Sequence, residues 1–174
     1  YVSILRYQLG DWKPYIYKTD NYGKSWKLLT TSNNGIPNNY PTRVIREDPK
    51  REGLLYAGTE YGIFISLDDG RTWKAFQQNL PITPITDIKI HRGDLVLSTM
   101  GRSFWVLDDI TTLRENNFSS LGNAITLFSP KDTIRYRYPI NNRAQHTVPQ
   151  YLPASAAIDY YLPEDLDQPI TLEV

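Results

Sequence analysis

The sequence predicts an all-β chain, and three observations predict it. Tyr (13) and Trp (4) are abundant while Met occurs once, a composition that suits pleated, half-buried surfaces. Short apolar runs alternate with turn signals such as Asp48-Pro49 and Asp69-Gly70. One octapeptide also recurs: "SLDDGRTW" at Ser66 to Trp73 lies over "TDNYGKSW" at Thr19 to Trp26 without a gap, at an offset of 47 residues. Thr19 matches Ser66, Asn21 matches Asp68, Gly23 matches Gly70, Ser25 matches Thr72 and Trp26 matches Trp73. The flanks agree, with Ile16 over Ile63 and Lys27 over Lys74.

The strands can be taken in order. The first unit offers "YVSILRYQ", "YIYKT" and "WKLLT", with an innermost strand missing. The second offers "TRVIRED", "GLLYAGT", "GIFISLD" and "WKAFQ". The third offers "TDIKIH", "DLVLST" and "SFWVLD". It carries a weaker copy of the repeat at an offset of 40, which sets Phe104 on Phe64 and Asp108-Asp109 on Asp68-Asp69. Ile110 there replaces the glycine and Leu113 the tryptophan, so a short helical turn is expected from Thr111 to Glu115, with helix otherwise nearly absent.

A period of about 40–50 residues is that of propeller blades. Residues 1–130 are therefore expected to form about three four-stranded blades, with "AITLFSP" a candidate closing strand. A closed propeller needs at least about four blades. The remaining blades are expected outside this chain, in the same protein or an associated one. The opening "YVSILRYQ", with no initiator Met, reads as a fragment or processed piece. The stretch 116–157 is rich in Asn, Ser and Pro, and residues 131–153 within it read as a linker. Residues 154–174 read as the truncated start of a β-sandwich, with strands at Ile158 to Leu162 and Ile170 to Val174.

Composition narrows the function. Basic and acidic residues balance at 19 each, against a nucleic-acid partner. No apolar run approaches the roughly 18 residues of a transmembrane helix. The absence of cysteine removes disulfides, thiolate chemistry and Cys-ligated metals. His91 and His146 lack ligand spacing, so no metal or other cofactor is expected. No phosphate loop or nucleophile elbow is present.

The octapeptide reads as a turn rather than a site. Asp68 suits acceptance of backbone N–H groups, Gly70 suits a positive φ, and Ser66 and Thr72 suit tying the strand ends. Trp73 suits packing between sheets. The pattern leaves position 69 free, with Tyr22 in the first copy, so Asp69 is expected to tolerate substitution.

The pattern Ser/Thr-x-Asp-x-Gly-x-Thr/Ser-Trp resembles the Asp-box, or BNR repeat. Together with "YVSILRYQLGDWKPYIYKTDNYGKSW" and "GRSFWVLDDITTLRE", it makes residues 1–130 similar to the C-terminal propeller region of large secreted bacterial proteins. Those are labelled glycosyl hydrolases or sortilin-like, and their propellers are similar to those of xyloglucanase-type glycosidases and the sortilin receptor. The resemblance implies a following immunoglobulin-like sandwich and a secreted or outer-membrane-associated location. Xyloglucanase-type catalytic aspartates lie in blades that this chain does not contain, so the resemblance carries over no catalytic residue.

Two function readings follow. The first is a non-catalytic propeller segment, a scaffold for protein or glycan binding. The second is part of a glycoside hydrolase, xyloglucanase-like or sialidase-like, whose carboxylates lie elsewhere. A glycosidase needs two carboxylates about 5–10 Å apart. Asp11, Glu47, Asp48, Glu52, Glu60 and Asp87 form no recognisable pair in sequence and read as solvated loop charge. Arg43, Arg46 and Arg102 are not fixed as the arginine triad of a sialidase. The candidates for facing a ligand are Arg102, on a turn between two inner strands, and Glu60, Tyr61 and Trp12. Tyr7 and Tyr15 join them as aromatics able to stack on sugar rings.

Overall fold

The computed structural model describes residues 1–31, 33–115, 121–122, 124–133, 156–163 and 169–173. Expectations for His146 and for most of the 131–153 linker fall outside these residues. The chain divides into two compact units, Tyr1–Arg114 and Glu115–Val174. The described elements are almost entirely antiparallel β-structure.

The first unit holds three sheets. Sheet 1 orders β1 (Val2–Ser3), β2 (Ile16–Lys18) and β3 (Lys27–Leu28). Sheet 2 is a four-stranded meander of β4 (Thr42–Glu47), β5 (Leu55–Thr59), β6 (Gly62–Ser66) and β7 (Lys74–Ala75). Sheet 3 orders β8 (Ile85–His91), β9 (Asp94–Thr99) and β10 (Phe104–Leu107). Helix α1 spans Thr111–Glu115. The opening run is extended only at β1; Tyr7–Leu9 forms a 3-10 turn that ends on Gly10 at φ 75°.

Burial explains the hydrophobic patterns. Every residue of β5 and β6 is buried, because sheet 2 is covered on both faces. Side chains alternate across a strand. Leu55, Ala57 and Phe64 therefore face sheet 1 and pack with Ile16, Leu29 and Trp73. Tyr56, Ile63 and Ile65 face sheet 3 and pack with Ile85, Ile88, Leu95 and Leu97. Gly58 lets the second interface close, since a Cβ there would lie 2.6 Å from Val44 and 2.8 Å from Ile85. Among the described residues sheet 3 is covered on one face only, and β8 accordingly alternates buried and exposed positions. Its open face carries Phe104 (78% exposed) and Val106 (54%). The open face of sheet 1 carries Val2, Ile4 and Leu28.

The third repeat is shifted by one residue from the expected alignment. Ala57 pairs with Phe64, and its counterpart Leu97 pairs with Trp105 rather than Phe104. The turn in sheet 3 is one residue longer, so Leu107 takes the place of Ser66 and Asp109 that of Asp68. The backbone agrees: Asp69 N–H donates to Gly53 O, and Ile110 N–H donates to Gly93 O. Without a hydroxyl at 107 the turn that Ser66 organises in sheet 2 has no counterpart here. Asp109 instead accepts from Thr111 N–H at 3.1 Å, at the start of α1.

In the second unit β11 (Thr126–Leu127) pairs antiparallel with β12 (Tyr160–Tyr161). The segment expected to close the third blade thus pairs with the segment expected to open the sandwich. Residues 170–173 form no strand, in place of the hairpin expected there.

Two substitutions test the interface between sheets 1 and 2. Trp73→Ala should lower stability by about 3–5 kcal/mol, because its buried ring leaves a cavity. Gly35→Ala should also unfold the chain readily: Gly35 has φ +117°, and a Cβ would fall 1.9 Å from the Trp73 carbonyl oxygen. Thermal melts of both variants check this.

Candidate functional site

Two constellations bear on function, the repeated turns and a surface joining several of the candidate ligand-facing residues.

The turn between β6 and β7 is organised by two side chains. Ser66 Oγ accepts the Gly70 N–H at 2.8 Å and donates to Asp68 Oδ1 at 2.8 Å. Asp68 Oδ1 accepts the Thr72 N–H at 2.9 Å, and Oδ2 accepts the Thr72 hydroxyl at 2.6 Å. Gly70 sits at φ 79° with no room for a Cβ, which would meet Leu29 at 2.8 Å. The first copy repeats the network. Thr19 Oγ1 accepts the Gly23 N–H at 2.9 Å, and Asn21 Oδ1 accepts the Ser25 N–H at 2.8 Å. The Asn21 amide donates to Ser25 Oγ at 2.8 Å, reversing the direction of that bond. The indoles differ. Trp73 is buried at 3% exposure between sheets 1 and 2, whereas Trp26 is 47% exposed and donates to Gly23 O.

Burial alone would push the Asp68 carboxyl up. The hydrogen bonds from Thr72 and Ser66 outweigh it and hold the group below the usual carboxylate range. A general acid needs the opposite shift.

Asp69 is not the free position expected from the sequence. It sits at φ 60° and binds across to sheet 1, accepting from Lys18 Nζ at 2.6 Å and from the Tyr1 hydroxyl at 2.5 Å. Burial pushes this carboxyl up as well, but Lys18 and Tyr1 bring it below its ordinary range. The counterpart Tyr22 is fully exposed and has no such partners, which is why the repeat concealed the role.

The second constellation lies at the β5–β6 turn and the loop before β2. Trp12 packs on Tyr7 with ring centroids 5.8 Å apart. The Arg43 guanidinium lies over Tyr7 at 6.0 Å and donates to Glu60 at 2.7 Å. Tyr61 follows Glu60 and packs on Tyr40 at 4.6 Å. Two of the four candidates, Trp12 and Glu60, are thereby joined through Tyr7 and Arg43, and Tyr61 adjoins Glu60 in the chain. A bulge in β4 between Thr42 and Val44 occurs at Arg43, and bulges re-aim side chains. Beside Trp12, Asp11 accepts from Tyr15 at 2.8 Å and pairs with Arg6 at 3.3 Å. The Tyr15 hydrogen bond, more than the nearby cations, holds the Asp11 carboxyl below its ordinary range. Arg102 lies in the exposed β9–β10 turn, where its N–H donates to Thr99 Oγ1 and its carbonyl accepts the Trp105 indole. The contacts joining Trp12 to Glu60 do not extend to it.

Of the remaining acids, Asp48 and Glu47 are held by partners, while Glu52 and Asp87 are exposed as expected of solvated charge. Asp48 is fully buried, pairs with Arg114 of α1 through both oxygens at 3.0 Å, and accepts the N–H groups of Lys50 and Arg51. Sequence could suggest the Asp-Pro turn but not a partner 66 residues away. Asp87 binds Arg46 at 2.6 Å, and Glu47 accepts the Gly53 N–H at 3.0 Å. Among the described residues no cluster of His, Asp or Glu is arranged to hold a metal, and no helix is long and apolar enough to cross a membrane. No known family model and no curated protein matches the chain.

The turn gives two testable contrasts. Asp68→Ala should cost about 1–3 kcal/mol, whereas Asp68→Asn should cost much less, because Asn21 already fills that role in the first copy. A depressed folded-state pKa contributes stability that is present above the unfolded value of about 4 and is lost as pH falls through the folded value. The advantage of the native chain over the Asp68→Asn variant should therefore shrink as pH is lowered below about 4, read from melting temperature against pH. Asp69→Ala should lose about 1 kcal/mol, and a Lys18→Met, Asp69→Asn double-mutant cycle should show coupling between the two side chains.

Proposed function

We propose that the chain is a non-catalytic segment of a β-propeller, acting as a scaffold for protein or glycan binding in a larger secreted or cell-surface protein. The observation that carries this reading is the stack of sheets with hydrogen-bonded turns of one design at Ser66 and Thr19. Apolar residues on the open faces of sheets 1 and 3 suit the continuation of such a stack. The joined surface of Trp12, Tyr7, Arg43, Glu60 and Tyr61 offers half-exposed rings beside fixed polar groups, the composition of a glycan-binding surface. The acids offer no general acid: Glu60 is paired with Arg43 and Asp48 with Arg114, and the Asp11 carboxyl is held below its ordinary range, the reverse of the shift a general acid needs.

Neutral oligosaccharides titrated against the chain, with tryptophan fluorescence and reducing-end release as readouts, test the proposal. The expected result is a saturable signal at least about fivefold weaker in Trp12→Ala, with no hydrolysis. Release of reducing ends that disappears in Glu60→Gln would instead establish a glycosidase.

A further inference from the structure

Sheet 2 has a fourth strand, and among the described residues sheet 3 does not. In sheet 2 the chain passes from β6 through the Ser66 turn into β7, which brings Trp73 between sheets 1 and 2. The seat for that indole is completed by the segment that follows β3: Trp73 N–H donates to Asn34 O at 2.7 Å, and Leu29 packs in the same cluster. In sheet 3 the chain leaves β10 and enters α1, which Arg114 ties to Asp48 and Arg51 ties to the Leu113 carbonyl. The outer edge of β10 pairs with no strand among the described residues.

An equivalent seat lies beside that edge. The segment following β7 repeats the one following β3: Leu29 N–H donates to Ile16 O at 2.8 Å, and Phe76 N–H donates to Ile63 O at 2.9 Å. Phe76 and Leu80 form one wall of an open groove, with Leu95, Leu97, Trp105 and Leu107 on the other. The groove is continuous with the packed interface between sheets 2 and 3, which shares Ile63, Leu80, Leu95 and Leu97. It stands to those sheets as the Trp73 seat stands to sheets 1 and 2. The edge strand is short but reads "FWVL", with no Pro, Lys or inward charge.

We infer that the free edge of β10 takes an extended partner polypeptide as a fourth strand, antiparallel to β10, with a tryptophan-sized side chain seated between sheets 2 and 3. Main-chain hydrogen bonds to the edge supply pairing, and the groove supplies selection for one large apolar side chain. The inference deepens the scaffold reading, on which it rests, by naming a site and a ligand class.

The probe is a synthetic peptide, RTWKAFQ, the sequence of Arg71–Gln77 that performs this role in sheet 2. Titrated calorimetrically against the full chain, it should saturate with Kd below about 1 mM. Replacing its tryptophan by alanine should weaken binding at least about tenfold. Peptides N-methylated at alternate amides should divide by parity, one set losing binding and the other keeping it, because only every second N–H of a strand faces a given neighbour. Leu107→Lys should weaken binding at least about tenfold, with circular dichroism checking that the variant is folded; if it is not, the N-methyl series decides. Failure to saturate, indifference to the peptide's tryptophan, or equal binding by both N-methyl sets overturns the inference. If Trp12-dependent oligosaccharide binding persists alongside such a failure, the scaffold reading stands and only the edge site falls.

Discussion

The two-sided burial of sheet 2 is the constraint on which the first unit depends. Every residue of β5 and β6 is removed from water, and this requires a sheet on each side. The alternation of strand side chains sorts these residues into two packed layers. Polar contacts then fix how the layers meet. Asp69 takes Lys18 and Tyr1 from sheet 1, and Arg46 reaches Asp87 of sheet 3. Asp48 holds α1 through Arg114. The Ser66–Trp73 turn is part of the same system, since it delivers Trp73 to one layer and Asp69 to its rim.

Much of the first unit was legible in the sequence because its strands are short, regularly spaced and bounded by turn residues. "TRVIRED", "GLLYAGT" and "GIFISLD" became β4, β5 and β6, and Thr111–Glu115 became α1. Legibility failed where the answer depended on a distant partner. The insertion that moves Asp109 onto the place of Asp68 shows only in strand pairing, because a string of similar residues aligns equally well one position away. β11 found its partner in β12, more than thirty residues along, and two-residue strands carry no periodicity to announce such pairing.

The candidate surface was legible as residue types and not as geometry. Trp12, Glu60 and Tyr61 stood out as loop residues of the right chemistry, but their connection runs through Tyr7 and through the bulge at Arg43. β8 has a bulge between Ile85 and Asp87 opposite the end of β9, as β4 has between Thr42 and Val44 opposite the end of β5. The bulged residues themselves, Arg43 and Thr86, share no chemistry, so alignment of the sequence alone passes over this backbone repeat. Asp69 was misread for a related reason: in a stacked array a position can be free within its own repeat and still be engaged by its neighbour.

The stacking of sheet on sheet also sets the order in which the first unit comes apart. Each sheet packs chiefly on the one beside it, so opening resembles fraying of a short one-dimensional array rather than uniform melting. Sheet 1, with strands of two or three residues and an exposed Trp26, is the weak end. Amide protons of β5 and β6 belong to the last segment to open, and their exchange reports the cooperative unfolding of the whole stack, while β1 and β3 exchange through local events that leave the centre intact.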